Sequence, residues 1–198
     1  ARLTHTYASA GDHLIRIRGT FPNIYFNNGG DKLKVKSVEN LGVVGWSALE
    51  NAFEGCSNMT SFVAGNTDTS SVTDMRNMFF NCSSLTSLDV TSFDTSSVTV
   101  MSVMFLNCSS LTSLDVTNFD TSSVTDMRNM FQNCSSLTSL DVTSFNTTSV
   151  SVMRVMFFSC SSLTDVVGVE DFNIEGLDGT SDLDSFAGGV TLPTARYD

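Results

Sequence analysis

The stretch NCSSLTSLDVTSFDTSSVTVMSVMFL, residues 81–106, recurs along the chain with small edits. Cysteines mark the period: Cys56, Cys82, Cys108, Cys134 and Cys160 each lie 26 residues from the last. A fixed period of this size signals a stack of coils, in which each unit buries its apolar side only against its neighbours. Each unit has two halves. In SSLTSLDV (83–90), Leu88 and Val90 alternate with Ser87, Asp89 and Thr91, the period-two pattern of a half-buried strand. In SVTVMSVMFLNC (97–108), the apolar Val98, Met101, Met104, Phe105 and Cys108 are spaced 3, 3, 1 and 3 apart, which predicts one apolar face on a helix. SFDTSS between them reads as a turn, with Phe93 inward and Asp94 placed to accept from loose backbone N–H groups.

A strand and a helix per repeat give the expected fold class: an α/β leucine-rich-repeat solenoid, with a parallel β-sheet on one face, helices on the other and a small β-rich N-terminal cap. Counting from the cysteines divides residues 31–190 into about six coils: 31–55, 56–81, 82–107, 108–133, 134–159 and 160–190. The first is diverged. Leu33, Val38 and Leu41 fall where Leu85, Val90 and Phe93 sit before Cys108, and Trp46, Leu49 and Phe53 match Val98, Met101 and Phe105. The last is irregular, with Leu163 and Val166 in strand register and Leu183, Phe186, Ala187 and Val190 at helical spacing. Residues 1–30 form the cap, read as a strand, a turn at Ala10-Gly11-Asp12 and a second strand through Leu14, Ile15 and Ile17. Residues 191–198 read as an exit segment.

Composition narrows the function. With 198 residues and 41% hydrophobic side chains the chain can bury a core. Twenty-one acids against 10 bases leave a net charge of −11, which argues against nucleic acid and against an anionic membrane surface. No apolar run reaches the length of a membrane span. Five cysteines at one repeat position do not look like a disulfide framework, where spacings vary and pairs close loops, so one buried thiol per coil is expected. His5 and His13 have no cysteine or acidic cluster beside them and read as cap residues. No activated nucleophile, carboxylate pair or phosphate loop stands out, so no catalytic site and no enzyme is expected. DGTSDLD (178–184) departs from the spacing of a calcium loop and reads as a turn and helix cap.

V-T-D-M-x-x-M-F-x-N-C-S-S-L-T-x-L-D-V, nearly unbroken in residues 72–90 and 124–142, resembles the repeat of BspA-type leucine-rich-repeat proteins of bacterial surfaces. HTYASAGDHLIRI (5–17) is similar to the last hairpin of a polycystic-kidney-disease-type β-domain, and GVTLPTARYD (189–198) to the family's exit segment. The resemblance implies an extracellular, cell-surface recognition module in a bacterial adhesin, cut from a larger protein. It brings no catalytic residues.

Two faces could carry that role. On the strand face three outward columns run through Ser87, Ser113 and Ser139, through Asp89, Asp115 and Asp141, and through Thr91, Thr117 and Thr143, with Val35 and Ser61, Ser37 and Val63, and Glu39 and Gly65 extending them backwards. They read either as a solvated polar surface or as an acidic stripe for a protein or peptide ligand on another cell. Calcium is a weaker reading, because a flat ladder offers few of the six or more oxygens that ion takes; no other cofactor or metal is expected. On the helix face Val100, Val103, Val152 and Val155 stand where the intervening coils have Asp74, Asn77, Asp126 and Asn129, a 52-residue super-period. This pattern suggests self-association as a homodimer, or a structural spacer in a long surface protein. Arg76, Arg128 and Arg154 share a column there and read as solvated partners of Asp74 and Asp126.

Overall fold

The computed structural model describes residues 8–173. Five short strands punctuate it: β1 (Ser37–Val38), β2 (Ser61–Val63), β3 (Ser87–Asp89), β4 (Ser139–Asp141) and β5 (Asp165–Val167). All pair in parallel, β1-β2-β3 in one sheet and β4-β5 in another. The register of β2 on β3, Ser61 opposite Ser87 and Val63 opposite Asp89, is one 26-residue step, as is that of β4 on β5. Residues 113–115 lie between the two sheets without a ladder to either side. The two open junctions are those where an aspartate would face an aspartate, Asp89 with Asp115 and Asp115 with Asp141. Like charges directly opposite weaken a strand pair.

The first coil is two residues shorter than counting from Cys56 suggests. Ser37 pairs with Ser61 and Val38 with Phe62, a step of 24, so Val38 occupies the Leu88 position and Val35 is not in the Ser61 column. Leu33 accordingly misses the core and is half-exposed, whereas Leu41, Trp46, Leu49 and Phe53 are buried.

The expected helices are absent among the described residues, whose only helical elements are two short 3₁₀ turns, Lys32–Lys34 and Val169–Asp171. The second wall is built from tandem turns. In one coil Met78, Phe80 and Cys82 donate their N–H groups to the carbonyls three residues back, at 3.3, 3.1 and 3.1 Å. The alternate N–H groups point along the stack: Met75, Asn77, Phe79 and Asn81 donate to Val100, Ser102, Met104 and Leu106 of the next coil at 2.9–3.2 Å. An α-helix would spend those donors on its own carbonyls. Such turns need a left-handed residue every fourth position, and Asn77 (φ 55°), Asn81 (φ 61°), Asn107 (φ 62°), Asn129 (φ 58°) and Asn133 (φ 58°) supply it. Asparagine tolerates this conformation because its short side chain bonds locally. Isolated parallel bridges Asp74–Val100, Val100–Asp126 and Asp126–Val152 continue the lateral pairing.

The core fills the space between the walls with identical side chains in register. Phe53, Phe79, Phe105, Phe131 and Phe157 stack face to face with centroids 5.6–5.8 Å apart and planes within 9° of parallel. All five cysteines are buried and free, one in each coil from 56–81 onward, as expected. Four of them donate to the carbonyl of a phenylalanine: Cys82 to Phe53, Cys108 to Phe79, Cys134 to Phe105 and Cys160 to Phe131, at 2.9–3.3 Å. Burial pushes their thiols up, Cys56 to about 12 and Cys160 to about 11, with Cys82, Cys108 and Cys134 raised as well.

A third column was not foreseen. Thr69, Thr95, Thr121 and Thr147 are buried. Each of the first three donates its hydroxyl to the carbonyl of a residue 25 positions on and accepts that residue's N–H: Asp94, Asp120 and Asn146, at 2.8–3.0 Å. Thr147 accepts the N–H of Asn173 at 2.6 Å.

Of the expected N-terminal hairpin, the second strand is absent from the described residues, and the first lies largely outside them. Residues 8–20 are exposed and form no strand, including Leu14, Ile15 and Ile17, and only Asn23 makes a β-bridge, to Ala48. The segment from Phe21 instead stacks like one more turn wall: Phe26 and Asn28 donate to Ala52 and Glu54, 26 residues on, at 3.2 and 3.1 Å. Phe21 meets Trp46 edge-on with centroids 6.0 Å apart, and Phe26 packs on Phe53 at 6.3 Å, so aromatic rings close the core at this end. At the other end Gly168 (φ 91°) breaks the register: a Cβ there would come within 2.6 Å of the Thr143 backbone. His5, the DGTSDLD segment, the remainder of the last coil and the exit segment lie outside the described residues. His13 is exposed, with Nε2 3.0 Å from the Ser9 carbonyl oxygen.

Candidate functional site

The strand face gathers the nine residues singled out in the sequence. Ser87 and Asp89 are on β3, Ser139 and Asp141 on β4, and Ser113 and Asp115 between them; Thr91, Thr117 and Thr143 follow each aspartate by two residues. All nine are exposed. They line a shallow groove of about 600 Å³ whose floor is Leu88, Leu114 and Leu140.

Local chemistry fixes the aspartates. Asp89 Oδ1 accepts from the N–H and hydroxyl of Thr91 at 3.1 and 2.7 Å; Asp115 does the same with Thr117 at 3.0 and 2.6 Å, and Asp141 with Thr143 at 3.0 and 2.7 Å. Each aspartate thus holds the turn that follows it, at the end of β3 for Asp89 and of β4 for Asp141, an Asx-type arrangement. The threonine hydroxyl first, and its N–H second, hold the carboxyls of Asp115 and Asp141 below the ordinary aspartate range, so both stay charged in mildly acidic solution. One oxygen of each carboxylate, Oδ2, makes none of these bonds. The face therefore presents a row of fixed charges, one per coil, whose spacing is set by the coil pitch.

The turn wall carries the other four residues, and it is not helical. Val100 and Val152 flank Asp126 in the parallel bridges. Val103 (φ 64°) and Val155 (φ 52°) occupy the left-handed positions that Asn77 and Asn129 fill elsewhere. All four valines are half-buried. Arg76 pairs with Asp74 and, at 3.6 Å, with Glu50; Arg128 pairs with Asp126 at 2.8 Å.

A second groove, of about 900 Å³, was missed. It runs along Asn81, Asn107 and Asn133 with Ser83, Ser109 and Ser135 beside them. The amides form a ladder, Asn133 donating to Asn107 at 2.7 Å and Asn107 to Asn81 at 2.6 Å, and Ser109 and Ser135 donate to the serine carbonyls one coil back. The repeated N-C-S-S was its signal. No charge lines it, so its chemistry is that of a self-satisfied amide ladder. Among the described residues no group of three or more His, Cys, Asp or Glu side chains is arranged to hold a metal, and no helix is long and apolar enough to cross a membrane.

Comparison with known proteins places this geometry. The profile of a family described as "Mycoplasma protein of unknown function, DUF285" matches residues 47–173. No curated protein matches. Among solved structures, a leucine-rich repeat protein from Bacteroides ovatus ATCC 8483 superposes with a TM-score of 0.50 at 20% identity, over 70% of this chain and 35% of that one. The T. pallidum leucine-rich repeat protein TpLRR gives a TM-score of 0.39 at 19% identity, over 72% of this chain and 67% of that one. The BspA-like leucine-rich-repeat fold implied by the V-T-D-M motif therefore holds, with the helices replaced by turns. The chain spans about a third of the length of the Bacteroides protein.

Proposed function

The chain belongs to the DUF285 family, Mycoplasma proteins of unknown function, and from that premise and the form of its strand face we propose that it is a non-enzymatic protein-interaction module. Its site is the strand face, and its ligand is a protein or extended peptide bearing spaced cationic side chains, displayed on another cell. The module acts outside the cell as the recognition unit of a surface adhesin.

One observation carries this reading: Asp89, Asp115 and Asp141 are exposed and held in one row, each with one oxygen tied to a threonine and the other outside those bonds. Because the scaffold already fixes the row, a ligand meets it with little ordering cost on the protein side. Basic side chains relieve the mutual repulsion of the row while pairing with it. The shallow groove and its polar lining fit an extended chain better than a small molecule, which takes a concave, largely apolar pocket.

The test is binding of the fluorescently labelled chain to a panel of cells, with and without chelator, beside an Asp89→Asn, Asp115→Asn, Asp141→Asn triple variant. Asparagine keeps the oxygen that accepts from threonine, so the fold survives while the charge goes. The reading predicts binding that resists chelator, weakens with salt and is lost in the triple variant. Binding that survives in the triple variant removes the strand face from the account, and loss with chelator alone assigns the row to calcium.

A further inference from the structure

Val103 and Val155 are held in the left-handed backbone region, which β-branched L-residues rarely adopt, while Asn51, Asn77 and Asn129 serve the same column in the other coils. Asparagine meets the same backbone demand with less strain. Strain at a position where the repeat has an easier residue points to a role on the surface rather than in the scaffold. Two stripes result, Val100-Val103-Leu106 and Val152-Val155-Phe158, all half-buried except Phe158, which is 42% exposed. Between them lies the coil with the Asp126–Arg128 pair.

Charge selects the occupant. Between Cys56 and Cys160 the only cationic side chains are Arg76, Arg128 and Arg154, all on the turn wall; of the eight aspartates in that span only Asp74 and Asp126 join them. The wall is therefore close to neutral in a chain of net charge −11, as is the amide groove, whose lining is polar and carries no valine stripe. Two such chains approach with least repulsion through these walls. A two-fold axis along the Asp126–Arg128 coil lays each valine stripe on the other, the self-complementarity an isologous contact requires, and the charges of that coil are already paired within each chain.

We propose that the turn wall is a homodimer interface, with two copies packed antiparallel about that axis so that Val103 of each meets Val155 of the other. This leaves both strand faces outward and does not depend on the function proposed for them.

The test is sedimentation equilibrium and light scattering on the full chain and on Val103→Asp, Val155→Arg and the double variant. The wild type forms a concentration-dependent dimer. Each single change weakens it at least about tenfold. The double variant regains it, because the antiparallel axis sets each introduced carboxylate against an introduced guanidinium. Val103→Asn guards against misfolding: it relieves the backbone strain, so it melts no lower than wild type at low concentration, yet it dimerises more weakly. A wild type that stays monomeric, a double variant as weak as the singles, or an intact dimer in Val103→Asn overturns the proposal.

Discussion

Replacing Thr121 by valine removes a hydroxyl and keeps the shape. Thr121 is fully buried, and its oxygen both donates to the Asn146 carbonyl at 3.0 Å and accepts the Asn146 N–H at 2.8 Å. Valine strands both backbone groups. Each costs about 1–3 kcal/mol when left unpaired in a buried setting. The Asn146 side chain is exposed and water reaches its neighbourhood, which puts the sum near the low end, about 2–3 kcal/mol. Thr121→Ser keeps both bonds and loses one methyl group, about 0.8 kcal/mol. In a chain of this size the valine variant should melt roughly 5–10 °C lower than wild type and the serine variant only about 2–3 °C lower. Thermal melts and urea titrations at unchanged slope measure both. If valine proves as stable as serine, the buried threonine column is packing alone, and the hydrogen-bond argument for how the turns between coils are held is wrong.

Three further outcomes follow from the same geometry. Asn107 carries a left-handed backbone and bridges Asn81 and Asn133 through its amide, so Asn107→Ala should cost about 2–3 kcal/mol, and Asn107→Gly, which keeps the φ angle at ease, distinctly less; denaturant midpoints separate them. The buried thiols should resist a thiol reagent in the native chain and all five should react on unfolding, since burial raises them and no disulfide forms; a native thiol that reacts quickly would contradict the core described. The carboxyls of Asp115, Asp120 and Asp141 are lowered in the folded chain by hydrogen bonds from Thr117, Ser122 and Thr143. Their contribution to stability is therefore full above the ordinary aspartate value of about 4 and is lost as pH falls through the lower folded values. Denaturation midpoints should be flat from neutral pH down to that value and then drop, and Thr117→Ala with Thr143→Ala should blunt the drop.

The sequence revealed the period, the strand columns and nearly every core position, because a repeat in register buries the same residue in each coil. Leu88, Val90, Phe93, Met101, Phe105 and Cys108 all lie where the pattern put them. It misled on the second wall because apolar spacings of 3, 3, 1 and 3 suit tandem turns as well as a helix. The deciding residues were the asparagines four apart, Asn77 with Asn81 and Asn129 with Asn133: poor helix formers and good left-handed ones. The first coil slipped by two because counting from Cys56 assumes no deletion, and only strand pairing exposes the 24-residue step. The strand-face columns were legible from alternation. The use of a carboxylate to hold the following turn was legible for Asp94, which accepts from Ser96, but not for the functional row. The buried threonine column could not be read from its hydroxyl-rich surroundings, where Thr95 and Thr121 sit among serines that face solvent.

The claim that recognition lives on the strand face is tested most directly by blocking that face without touching charge. Ser113 is exposed at the centre of the row, and Arg128 is exposed on the turn wall. Ser113→Trp and Arg128→Trp should each fold with a melting temperature near wild type, and ligand binding would be measured at protein concentrations where the chain is a monomer. The account predicts that Ser113→Trp abolishes binding and that Arg128→Trp leaves it intact. Binding that persists through Ser113→Trp and disappears in Arg128→Trp would move the site to the turn wall and contradict the account.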